Sequence, residues 1–89
     1  MKAFYISSPE AVTDFLYEIY NHQSSPFDPA DDLRTLRDAN GAPLFPAQEA
    51  EYLDNVMMEC FIYCVLNDLD IYKLVNKVQS KILGIRTDA

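Results

Sequence analysis

Residues Pro46–Leu66 read PAQEAEYLDNVMMECFIYCVL. Twenty-one residues without glycine, opened by a proline that loses nothing at a first helical position, predict one long helix over 46–66. At about 100° per residue, Ala50, Leu53, Met57, Cys60, Phe61 and Cys64 fall on one face, the stripe expected of a core helix. In the first half of the helix the opposite arc holds Gln48, Glu51, Asp54 and Asn55, which suit water. Past Val56 that arc is filled by Met58, Ile62 and Val65, with Tyr63 and Leu66 closing the circle beside Glu59, and the helix becomes apolar all round.

A helix of that kind needs cover on every side. A chain of 89 residues folds as one domain, 1–89, and buries only about 60–65% of its unfolded surface. It has few other elements with which to supply that cover. Met58, Phe61, Ile62, Tyr63, Val65 and Leu66 are therefore the expected interface residues, where the helix meets a second copy of the chain or another protein.

Outward from this helix, the remaining elements also read as helical. SSPEAVTDFLYEIYNH supplies an N-cap in Ser8, a proline at the first helical position and acids in and just beyond the first turn. Val12, Phe15, Leu16, Ile19 and Tyr20 follow at i, i+3, i+4, i+7 and i+8, predicting a helix over 9–21. The short KAFYI before it suits a strand or an apolar arm. After the long helix the chain turns through Asn67 and Asp68, and Asp68 or Asp70 caps a last helix over 70–83. Its stripe is Ile71, Leu74, Val75, Val78 and Ile82, with Gly84 as a left-handed stop packed by Ile85.

Between them, DPADDLRTLRDANGAPLF supports two readings. Asp28 as N-cap, Pro29, early acids and late arginines favour a short helix over 29–38, stopped by Asn40-Gly41. The rival is a hairpin over 33–45 around ANG. Pro43 deprives its second strand of a donor, which favours the helix. The fold class expected is a mainly α bundle of three to four helices.

Charge and motifs narrow the functions. Seven Lys and Arg against fourteen Asp and Glu leave a net charge of −7, the wrong sign for direct binding to a phosphate backbone. The longest apolar window, Val56–Leu66, is too short for a membrane, which needs about twenty residues. The N-terminus lacks a continuous apolar stretch of signal-peptide length. Together these predict a cytoplasmic protein off the membrane.

Cys60 and Cys64, on adjacent turns of one helix, are poorly aimed for a disulfide. As metal ligands they would need His22 or carboxylates to complete the set, and the usual paired-cysteine spacing is missing, so core packing is the reading preferred. No catalytic, metal or cofactor motif is present, and His22 has no recognisable nucleophilic partner. DPADD lacks the spacing of a calcium loop and suits capping.

The charge is unevenly spread. Residues 38–72 carry seven acids (Asp38, Glu49, Glu51, Asp54, Glu59, Asp68, Asp70) and no Lys or Arg. Lys73, Lys77 and Lys81 line one face of the last helix, where they suit its negative end and also offer a ridge to an acidic partner. In size and style the chain looks like the short accessory proteins of bacteria and their mobile elements, a likeness with no residue-level motif behind it. The expected function is a non-enzymatic interaction module or accessory regulator, a homodimer or a docking protein. The alternative is an acidic antagonist that offers carboxylates to a nucleic-acid-binding protein of a mobile element.

Overall fold

The computed structural model describes residues 3–21, 27–38 and 40–87. Three helices carry it: α1 (Pro9–Tyr20), α2 (Ala47–Leu66) and α3 (Ile71–Thr87). The molecule is mainly helical, a small bundle, with no strand among the described residues. No described helix is long and apolar enough to cross a membrane.

The N-caps predicted for the first and last helices form. Ser8 Oγ accepts from the Ala11 N–H at 3.1 Å, and all five stripe residues of α1 are buried. Asp70 Oδ1 accepts from the Tyr72 N–H at 3.0 Å at the start of α3. Asp68 serves the preceding helix instead. With φ at 56°, it lets the Leu69 N–H reach back to the Cys64 carbonyl at 2.8 Å, and its own N–H approaches the Val65 carbonyl at 3.5 Å. This pair of bonds closes the C-terminal end of α2 and satisfies carbonyls that would otherwise lack partners.

Packing follows from those faces. α3 lies along α1 and also meets α2, while α2 packs against a short 3₁₀ turn, Leu33–Thr35. The core joins Phe15, Leu16 and Ile19 of α1 with Ala50, Leu53, Met57, Cys60 and Cys64 of α2 and Val75, Val78 and Ile82 of α3. The N-terminal residues 3–7 form an arm. Phe4 meets Phe15 edge to face at 5.0 Å, and its N–H donates to the Tyr52 hydroxyl at 2.9 Å.

Two expectations are corrected. The helix over 29–38 does not form. Asp28 and Asp31 bond each other's backbone in a turn, with the Asp28 carbonyl accepting from the Asp31 N–H at 2.9 Å and Asp31 Oδ2 from the Asp28 N–H at 3.2 Å. Asp32 caps the 3₁₀ turn, and an isolated antiparallel bridge then joins Arg37 to Pro43.

Its hydrogen bonds run from the Asp38 N–H to Ala42 and from the Leu44 N–H to Leu36, at 2.8 and 3.0 Å. Arg37 and Pro43 are thus a pair whose own N–H positions point away from each other, and the missing donor of Pro43 is not needed. Gly41, at φ 81°, supplies the left-handed residue of the turn. The second correction is Gly84, which lies inside α3, so the helix runs to Thr87 with no left-handed stop at that glycine.

Candidate functional site

The C-terminal half of α2 lacks cover on the arc where it was expected to. Met58, Ile62, Val65 and Leu66 are 62%, 53%, 76% and 77% exposed. They recur at i, i+4, i+7 and i+8, and so share an arc of about 100°. Phe61 and Tyr63, expected in the same surface, are half-buried and pack against the core. Phe61 is held edge to face by Tyr72 of α3, with ring centroids 6.4 Å apart.

Phe61 stands between two open depressions of about 470 Å³ each. One lies between α2 and the 29–34 segment, lined by Met57, Met58 and Phe61 together with Asp31, Asp32, Glu51 and Asp54. The other lies between the end of α2 and the start of α3, with Phe61, Val65, Leu69 and Tyr72 facing Asp68 and Asp70. Arg34 is the single cation among the described residues lining the two.

That arginine is already engaged. Its Nη2 meets Asp32 Oδ2 at 2.9 Å and its Nε meets Asp32 Oδ1 at 3.0 Å, while Asp54 Oδ2 lies 3.8 Å away. The fork of hydrogen bonds from Arg34 holds the Asp32 carboxyl well below the ordinary carboxylate range. Asp54 moves the other way: burial raises it, and repulsion from Asp32 adds to that, against the lowering effect of the Leu33 N–H that it accepts at 3.0 Å. Tyr72, which lines the second depression, donates its hydroxyl hydrogen to Asp28 Oδ1 at 3.2 Å.

The chain offers little reactive chemistry here. Cys60 and Cys64 are free thiols facing the core. Burial pushes the Cys60 thiol up to about 12 and also raises Cys64. A thiol held that high is protonated at neutral pH and a poor nucleophile. Among the described residues no group of three or more His, Cys, Asp or Glu is placed to hold a metal ion. His22 lies outside the described residues. The DPADD acids act as turn caps, Asp28 accepting from the Ala30 N–H at 2.8 Å and Asp32 from the Arg34 N–H at 2.9 Å.

No known family model, curated protein or solved structure matches the chain.

The arrangement therefore stands on its own geometry. The sequence pattern locates the exposed arc of α2. It does not locate the acids of residues 31–32 beside it, because the bond that brings them there, Leu33 N–H to Asp54, joins residues 21 apart in sequence. The three lysines of α3 are exposed. They lie about 100–180° around that helix from Tyr72, so the basic ridge and the acid-rimmed depressions face different ways.

Proposed function

We propose that this protein is a non-enzymatic interaction module that self-associates or docks a partner protein through the apolar arc of α2. The observation that carries this reading is the exposure of Met58, Ile62, Val65 and Leu66 on successive turns of one helix. A contiguous apolar surface on a soluble domain is a recurrent mark of protein contact. Methionine and aromatic side chains, here Met58 with Phe61 and Tyr63 at the margin, are enriched in such surfaces.

The test is the absolute mass in solution, by light scattering behind a size-exclusion column, across protein concentration and salt. Self-association through the arc gives a salt-resistant dimer that Ile62→Glu returns to monomer with the helix signal intact. Loss of helix in that variant sinks the reading, because Ile62 would then belong to the intramolecular core.

The acid-only span 38–72 supports a second reading, an acidic antagonist that presents its carboxylates to a basic nucleic-acid-binding protein. Complementary charge speeds such an association and makes it salt-sensitive. Absence of any salt-dependent capture from a panel of nucleic-acid-binding proteins counts against it.

A further inference from the structure

The apolar arc of α2 is framed by charge of one sign. At about 100° per residue, Asp54 lies just before Val65 on one edge of the arc and Glu59 just beyond Leu66 on the other, with Glu51 on the arc nearer the N-terminus. Asp68 and Asp70 stand beyond its C-terminal end, and Asp31 and Asp32 face it across the first depression. Arg34 is neutralised by Asp32 and Asp54, and the lysines of α3 point elsewhere. From Glu51 to Asp68 the framed surface runs about 25 Å along the helix, the length of a helix of four to five turns.

From this frame we infer that the occupant is an amphipathic helix of another protein, with an apolar stripe for Met58, Phe61, Ile62 and Val65 and Lys or Arg on both flanks. The inference rests on the apolar arc being a contact surface and adds the chemistry of what covers it. A second copy of this chain fits less well. A two-fold contact sets the same patch against itself, so Glu51, Asp54 and Glu59 of one protomer would face those of the other. A helix with basic flanks meets opposite charge along both edges while its stripe covers the apolar side chains.

The test uses the full chain and three synthetic eighteen-residue helices with one leucine stripe and Lys, Gln or Glu on the flanks, followed by fluorescence anisotropy. The Lys-flanked helix should bind at least about tenfold more tightly than the Gln-flanked one at low salt, with the gap closing as salt rises, and the Glu-flanked helix should bind weakest. The double variant Glu51→Gln/Glu59→Gln should narrow the gap, and Ile62→Ser should weaken both the Lys- and Gln-flanked complexes while circular dichroism stays unchanged. Equal binding of the Lys- and Gln-flanked helices, both weakened by Ile62→Ser, overturns the basic partner and leaves the apolar contact surface standing. Binding of none of the three overturns the inference, and a salt-resistant dimer that Ile62→Glu dissolves does so in favour of a second copy.

Discussion

Asp54 answers two opposed demands. It accepts from the Leu33 N–H and stands near Arg34, yet burial and the neighbouring Asp32 raise its pKa. A raised folded-state value means that ionised Asp54 opposes folding at neutral pH, an effect that fades as pH falls through the raised folded value and is gone below the unfolded value of about 3.9. Asp32, depressed by Arg34, works in the opposite direction: its contribution is present above the unfolded value and is lost as pH falls through the lower folded one.

Asp54→Asn keeps an oxygen for Leu33 and removes the repulsion, while the ion pair it gives up is long and partly solvated. The variant should be at least as stable as the parent in urea at pH 7, with the difference shrinking as pH falls toward about 4. Asp54→Ala should instead lose about 1 kcal/mol, since the Leu33 N–H loses its acceptor. The two thiols give a second readout. With Cys60 pushed up to about 12 and Cys64 also raised, neither should react with a thiol reagent at pH 8 in the folded chain, and both should react at the rate of unfolding in denaturant.

Among the elements, the end of α2 is where local cost is greatest. Asp68 holds a left-handed backbone that glycine adopts freely. Asp68→Gly should stabilise the fold by about 0.5–1 kcal/mol, offset in part by the looser unfolded chain, and equilibrium denaturation checks it. A loss instead would mean that the Asp68 side chain contributes more than its backbone strain costs.

Each helix was legible wherever its stripe and its cap agreed. Ser8, Pro9 and five apolar positions define α1 with no help from the rest of the fold, whereas for α3 the stripe was plain but the cap lay open between Asp68 and Asp70, and the structure uses Asp70. The 28–45 segment was not legible because its capping and turn signals are both local and both genuine. One deciding contact is remote, since Asp54 fastens Leu33 to α2, and the other is a matter of register, since the Arg37–Pro43 pairing places the proline where no donor is required. Gly84 misled for a different reason, since a glycine inside a helix costs only about 1 kcal/mol and the packing of α3 overrides it. At the surface of α2, periodicity found Met58, Ile62, Val65 and Leu66 and put Phe61 in the core stripe as well, but could not show that Tyr63 also tucks against the core.

At the scale of the whole molecule, the contrast between core and arc can be measured with two side chains. Phe15 is fully buried between the N-terminal arm and the helices. Phe15→Ala should cost about 3–5 kcal/mol, a large share of what a chain of this size possesses. Ile62→Glu, made on an exposed position, should change thermal stability of the monomer by no more than about 0.5 kcal/mol. Comparable losses from the two would mean that the arc is part of the core. The acidic frame and the basic ridge make the surface electrically two-sided as well, so low salt should favour association with a cation-flanked partner and disfavour association of like with like.

The Arg37–Pro43 bridge has one more consequence. Where two residues pair without exchanging hydrogen bonds, their backbone groups aim outward, at the place where another strand would add. Proline at that position presents no N–H to a newcomer. The only extended pairing among the described residues is thereby shielded on its Pro43 side from edge-to-edge growth, the route by which exposed strand edges seed aggregates.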